Sequence, residues 1–113
     1  MRWFLRSKIH GATVTEARVE YEGSITIDEE LIEKSALMAG EKVLVVDMTN
    51  GARVETYVIV GERGAGGVCM NGAAALLVHK GDRAIIMGFE LAAEPVEAKK
   101  VLVDEGNRFV RYL

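Results

Sequence analysis

The chain has one cysteine, one proline and two histidines among its 113 residues. A lone thiol, Cys69, excludes an intrachain disulfide and any zinc site built from several thiolates. His10 and His79 are too few and too far apart in sequence for a histidine metal motif. With Pro95 alone there is no proline-rich linker, and no repeat or low-complexity tract divides the chain. Long apolar runs are also missing. The start, Met1-Arg-Trp-Phe-Leu-Arg6, offers three consecutive apolar residues, and Val43–Val46 and Ala73–Val78 are short. A signal peptide needs an apolar run of ~7–15 residues and a membrane span needs about 20. A reducing, cytoplasmic setting is therefore the expectation. Neither sign of charge dominates: Lys and Arg number 14, Asp and Glu 17, and the net charge is −3. That balance gives no electrostatic footprint for nucleic acid or an anionic membrane.

What is present points to one packed domain over residues 1–113, because half the residues are hydrophobic and the length suits a single core. The only plausible boundary is Ala92-Ala-Glu-Pro-Val-Glu-Ala-Lys-Lys100, between a compact body and a tail over 92–113. Most of the body reads as strand. Thr13–Tyr21 is rich in β-branched residues. Lys42–Met48 is a short apolar run suited to a strand buried on both faces, and Arg83–Phe89 is another strand. Arg53–Val60 alternates, with Val54, Thr56, Val58 and Val60 on one face and Arg53, Glu55, Tyr57 and Ile59 on the other. Asn50-Gly51 between two runs predicts a type I′ hairpin. One helix is expected after Asp28, which caps it. Glu29 and Glu30 lie in its first turn, Ile27 and Ile32 stand at the hydrophobic-staple positions, and Gly40 stops it. A shorter helix is expected over about 73–78. Twelve glycines suit the many tight turns of a small, mainly β barrel.

The ordinary equipment of an enzyme is thin. Gly64-Ala-Gly-Gly67 lacks the last glycine of a nucleotide-binding pattern, where Cys69 stands, and reads as a turn. Cys69 lies in an apolar context and reads as a structural thiol. His79, between an apolar run and Lys80-Gly81, reads as a helix-end histidine. Arg53 and Tyr57 project from one side of a strand, where a guanidinium fork and a phenol can bind a carboxylate and move a proton. Lys8 and His10 share a face if residues 2–14 are extended. Taken alone, each pair is more often a solvated face than a site. Gly23-Ser24 is a common turn dipeptide with one specific chemical option. A serine hydroxyl can attack the carbonyl before it, and glycine there removes the Cβ obstruction and tolerates strain.

Taken together these residues resemble the pyruvoyl-dependent aspartate 1-decarboxylases. The resemblance rests on Lys8-Ile-His10, Tyr21-Glu-Gly-Ser24, Thr49-Asn-Gly51, Arg53 with Thr56-Tyr57, Glu62-Arg-Gly64, Asn71-Gly-Ala-Ala-Ala75 and Gly81-Asp82. It runs from Leu5 to about Phe89 and is weak in the tail. It implies a six-stranded double-ψ β-barrel with one or two short helices, assembled as a homotetramer with active sites between subunits. It implies a proenzyme that cuts itself between Gly23 and Ser24 into chains 1–23 and 24–113. Ser24 then becomes a covalent pyruvoyl group, and neither metal nor pyridoxal phosphate is needed. The pyruvoyl ketone would take L-aspartate as a Schiff base and release CO2 and β-alanine, which supplies pantothenate biosynthesis. The implied enzyme is a carbon–carbon lyase.

By the same resemblance Gly23, Ser24 and Thr56 serve processing, with Thr56 stabilising the oxyanion, and Tyr57 returns a proton to the α-carbon. Lys8, Arg53 and Thr56 contact substrate, and Asn71, Gly72, Ala73 and Ala74 form an amide and backbone cradle. His10 and Tyr21 support processing or orientation. Ala65, Leu76 and Glu20 depart from residues common in the family (Ser, His and His), and none carries an assigned role. Two other readings remain open at this stage. One is a non-catalytic β-barrel for oligomerisation or binding, and the other is a pyruvoyl decarboxylase of a different amino acid.

Overall fold

The computed structural model describes residues 1–113 and is mainly β. Nine strands form one sheet: β1 (Arg2–Thr13), β2 (Glu16–Arg18), β3 (Ser24–Asp28), β4 (Lys42–Asp47), β5 (Arg53–Gly61), β6 (Val68–Asn71), β7 (Arg83–Ala92), β8 (Lys99–Val103) and β9 (Phe109–Tyr112). One α-helix, α1 (Glu29–Ser35), follows β3, and a 3₁₀ helix spans Gly72–Leu76. The strand order is β2-β6-β3-β5-β4-β7-β1-β8-β9. Pairs β1/β8, β2/β6 and β3/β5 are parallel, and the others are antiparallel.

The count of nine departs from the six strands expected, and the hydrogen-bonded ladder does not close on itself. The excess has two sources. The predicted strand over Thr13–Tyr21 is broken at Val14-Thr15, so β1 and β2 are consecutive pieces on opposite sides of the run from β6 to β7. Thr15 at the break donates its N–H to the Val68 carbonyl at 2.8 Å. The region after Pro95 supplies the rest. It is no loose tail: β8 pairs parallel with β1, and Val101 and Val103 lie in the core.

Alternation explains the core. Ile25 and Ile27 of β3, Val58 of β5 and Met70 of β6 face one cluster of 19 buried apolar residues, joined by Ile9 and Ile86. Each such side chain contributes roughly 1.5–3 kcal/mol by leaving water. β4 is buried on one face only, through Val43, Val45 and Asp47, whereas burial on both faces was expected. On β5, Val54, Thr56 and Val58 turn inward as the alternation predicts, but Val60 is exposed near the strand end.

Local signals decide the helix ends. The Asp28 carboxylate caps α1 by accepting the Glu30 N–H at 2.9 Å. Ile27 and Ile32 are both buried beside the cap. The helix stops at Ser35, before the predicted Gly40, because Ala36 adopts a left-handed conformation and its N–H returns to the last turn. Asn50-Gly51 does not form a type I′ turn. Only Gly51 has positive φ, and the Asp47 carboxylate instead gathers the Thr49 and Asn50 N–H groups into a longer loop. The second helix begins one residue earlier than expected and is 3₁₀.

Candidate active site

Ser24 opens β3 between β5 and β6, opposite Asn71 in the antiparallel register. It is 1% exposed. Asn71 Nδ2 donates to Ser24 Oγ at 2.9 Å and to Thr26 Oγ1 at 3.1 Å. One amide thus fixes both hydroxyls on the outer face of β3, while Ile25 and Ile27 face the core. The Ser24 hydroxyl also lies 3.5 Å from the Glu22 carbonyl, a long and weak contact.

Two glycines shape the peptide before Ser24. A side chain on Gly23 would meet open space. Gly72 is different: its φ is +81°, and a Cβ there would lie 2.6 Å from Gly23 Cα and 2.8 Å from Gly23 N. The start of the 3₁₀ helix is therefore pressed against the Gly23 backbone, an approach only glycine permits.

An open cleft lies over Ser24, bounded by Thr26, Tyr57, Ile59, Asn71 and Tyr21. The parallel register Ile25–Val58 between β3 and β5, carried back one residue within both strands, sets Ser24 level with Tyr57. Tyr57 is 40% exposed and reaches the cleft, whereas Thr56 is on the inward face. Arg18 donates to the Tyr21 hydroxyl at 3.2 Å and sits over its ring, closing one side.

The other expected site residues are not gathered here. Arg53 stands exposed at the far end of β5. Lys8 and His10 are half-buried on β1, between β7 and β8. His10 is held below its ordinary pKa, first by burial and then by the charges of Lys8 and Arg83. Its Nδ1 is buried without a partner. Ala73 is exposed and Ala74 half-buried on the 3₁₀ helix, beside Gly72.

Sequence reasoning passed over Arg18, Thr26 and Ile59. Thr26 and Ile59 were findable, since each lies two residues from a named residue on the same strand face. The glycine-rich turn at 64–67 proves to have an anionic partner after all, a carboxylate of the chain itself. Asp28 accepts from Gly64 N at 3.0 Å and Gly66 N at 2.8 Å. Cys69 is half-buried, 3.7 Å from Thr15 Oγ1. His79 sits past the 3₁₀ helix, its ring Nε2 3.0 Å from the Leu76 carbonyl. No group of three or more His, Cys, Asp or Glu is placed to hold a metal ion, and no helix is long and apolar enough to cross a membrane.

The family model described as aspartate decarboxylase matches residues 1–110. The chain belongs to the aspartate decarboxylase family. An aspartate 1-decarboxylase of Acetivibrio thermocellus is 54% identical over 110 residues, 94% of this chain and 87% of that protein. One of Desulfitobacterium hafniense is 54% identical over 114 residues, 97% of this chain and 90% of that protein. One of Bacillus cereus is 50% identical over 116 residues, 99% of this chain and 91% of that protein. Among solved structures, a computationally designed protein, msDPBB_sym2, aligns with 77% of this chain and 99% of its own at TM-score 0.48 and 20% identity. That likeness is too slight to bear on the fold. Within the aspartate decarboxylase family the geometry around Ser24 takes on a specific chemical meaning.

Proposed function

We propose that the chain is a self-processing, pyruvoyl-dependent aspartate 1-decarboxylase that converts L-aspartate to β-alanine and CO2, for use in pantothenate synthesis. The observation that carries the reading is the buried Ser24 hydroxyl, held by the Asn71 amide beside a Gly23 backbone that Gly72 presses into place. Relatives at 50–54% identity over nearly the whole chain bear the name aspartate 1-decarboxylase.

In processing, Ser24 Oγ attacks the Gly23 carbonyl carbon, the peptide C–N bond breaks, and the freed nitrogen takes up a proton. The resulting ester loses the Gly23 carboxylate by β-elimination. Water then adds to the dehydroalanine and ammonia leaves. Asn71 orients the attacking oxygen by donating to it. Thr56, next to Tyr57 on β5, is the donor for the oxyanion that the family resemblance assigns. The residues around Ser24 fit a pyruvoyl group at this point: an amide donor on one side, a glycine gap behind and a phenol at the open mouth. That group supplies an electrophilic ketone for the substrate amine and an electron sink as CO2 departs. Tyr57 gives the proton to the α-carbon. Arg53, with its bidentate fork, and Lys8, as a point charge, hold the two carboxylates. Asn71 to Ala74 cradle the reacting end, and His10 and Tyr21 orient it.

Arg53 and Lys8 stand away from the Ser24 cleft of their own copy, which favours sites completed by a neighbouring subunit. The homotetramer reading has further support in exposed apolar side chains: Trp3 and Leu91 on one face, and Leu76, Leu77, Ile59 and Tyr57 elsewhere. A six-stranded double-ψ barrel is favoured by counting β1 and β2 as one bent strand. The six are then β1/β2 and β3 to β7, with the chain itself carrying the sheet round at Val14-Thr15 and β8–β9 appended. On this reading 1–113 is one domain, and chains 1–23 and 24–113 stay packed together after the cut.

The test compares wild type with Ser24→Ala for β-alanine formation from aspartate and for product formation from glutamate. The expected result is activity with aspartate well above glutamate in wild type, and none in Ser24→Ala. β-Alanine formation by Ser24→Ala, or a preference for glutamate, would overturn the proposal.

A further inference from the structure

Asp47 ends β4 and is 1% exposed. Its Oδ1 accepts from Thr49 N at 2.7 Å and Asn50 N at 3.2 Å. Its Oδ2 is buried and has no donor. The β4/β7 register brings a second carboxylate close: Asp47 pairs with Ala84, and Met48 N donates to the Arg83 carbonyl at 2.7 Å, next to Asp82, whose Oδ2 accepts from His79 N at 3.0 Å and lies 3.4 Å from His79 Nδ1. Two ionised carboxylates in such a place repel each other, and the buried one lacks solvation. A single proton between them removes both penalties, because a carboxylic acid donates where a carboxylate can only accept.

We infer that Asp47 carries a proton and donates it to Asp82, and that this acid–carboxylate pair positions the 3₁₀ helix behind Ser24. Each member holds the C-terminal end of that helix through one intermediary. From Asp47 the path runs through the Asn50 backbone to Asn50 Nδ2, which donates to the Leu77 carbonyl at 2.8 Å. From Asp82 it runs through His79, whose ring lies 3.0 Å from the Leu76 carbonyl. The other end of the helix is Gly72, pressed on Gly23. Slackness at Leu76-Leu77 is thus transmitted along one short turn to the peptide before Ser24.

The charges around the pair agree. Burial first, and then Asp82, raise the pKa of Asp47, while the contact with Asp47 and the His79 N–H lower that of Asp82. His79 is the one basic group within ion-pair distance. On β5 the nearest cation in sequence is Arg53, exposed and level with Val46, and on β7 the Arg83 guanidinium lies over Gly11. The sign follows. A group whose pKa is raised by folding binds its proton more tightly when folded, so its contribution is complete in acid and is lost as pH rises through the raised value.

The bearing on the site rests on the Ser24 reading above, and the experiment is arranged not to depend on it. It uses the uncleavable Ser24→Ala chain, alone and with Asp47→Asn or Asp47→Ala. Asparagine keeps the acceptor for Thr49 and Asn50 and a donor for Asp82 but cannot ionise. Melting temperature is followed upward from about pH 4, the ordinary carboxylate range. Asp47→Asn should match its parent in acid and exceed it by about 4 °C at alkaline pH. Amide hydrogen exchange of residues 72–77 should lose protection in the parent as pH rises, after correction for intrinsic exchange. Asp47→Asn should keep that protection and Asp47→Ala should lack it throughout. Parallel pH dependences of parent and Asp47→Asn would overturn the shared proton. Equal protection of 72–77 in Asp47→Ala and Asp47→Asn would overturn the positioning role.

Discussion

In the proposed processing reaction, Ser24 would be prepared for attack by neutral neighbours. Asn71 Nδ2 holds its oxygen, and no cation or imidazole touches it. Asn71→Ala should slow self-cleavage by about 10²-fold, the effect of losing the orientation of the attacking oxygen, in a protein that still folds. The check is a time course of intact mass after expression. Gly72→Ala should be harsher, because the added methyl would lie 2.6 Å from Gly23 Cα at a φ that disfavours alanine. Asp28 shows the opposite use of a carboxylate. Burial works to raise its pKa, but N–H donors from Gly64, Gly66 and Glu30 outweigh that and hold it below the ordinary value. Its contribution is therefore present at neutral pH and lost as pH falls through the lowered pKa. Asp28→Ala should cost about 3 kcal/mol in urea unfolding, from a lost cap and two stranded N–H groups. Gly23-Ser24 was legible in the sequence only through the company of Tyr21, Thr56-Tyr57 and Asn71-Gly72. The Asn71–Ser24–Thr26 contact was not legible, because it depends on the β3/β6 register across more than 40 intervening residues.

At the scale of elements, short-range chemistry is legible in the sequence and long-range pairing is not. The start of α1 was visible in Ile27-Asp28-Glu29 because a cap, acidic first turn and staple all lie within six residues. Its end was missed because Ala36 carries no outward sign of a left-handed conformation. β8 was missed for a different reason. Its partner is β1, in parallel, with no turn signal to announce the pairing. What fixes that region is Asn107, 2% exposed at φ +60°. It accepts from Thr13 N at 2.8 Å and donates to the carbonyls of Thr13 at 2.9 Å and Gly66 at 2.8 Å. One side chain thus ties the β8–β9 turn to the end of β1 and to the glycine loop that wraps Asp28. Asn107→Ala should destabilise the protein by about 3 kcal/mol, through unmade hydrogen bonds and backbone strain. Thermal unfolding would show it, with early loss of protection in β8 and β9.

At the scale of the whole molecule, the exposed apolar surface is the feature a lone copy does not explain. Trp3 is 70% exposed and Leu91, its partner across β1 and β7, 46%. Beside them Phe89 and Val43 line an apolar groove rimmed by the Lys42–Glu55 ion pair. If subunits meet there, Trp3→Glu should shift the protein to smaller species in light scattering and lower activity with it, since Arg53 and Lys8 would lose their access to a neighbouring Ser24. The pyruvoyl reading proposed above would also account for the scarcity of histidine and cysteine, since an electrophile made from Ser24 would need few conventional catalytic side chains.

The proposed conversion of Ser24 is decided by the intact mass of the purified protein. Two chains are expected, 1–23 and 24–113, the larger lighter by one ammonia than a chain beginning with serine and unreactive in amino-terminal sequencing. A single uncut chain of 113 residues, in a folded preparation that forms no β-alanine, would contradict it.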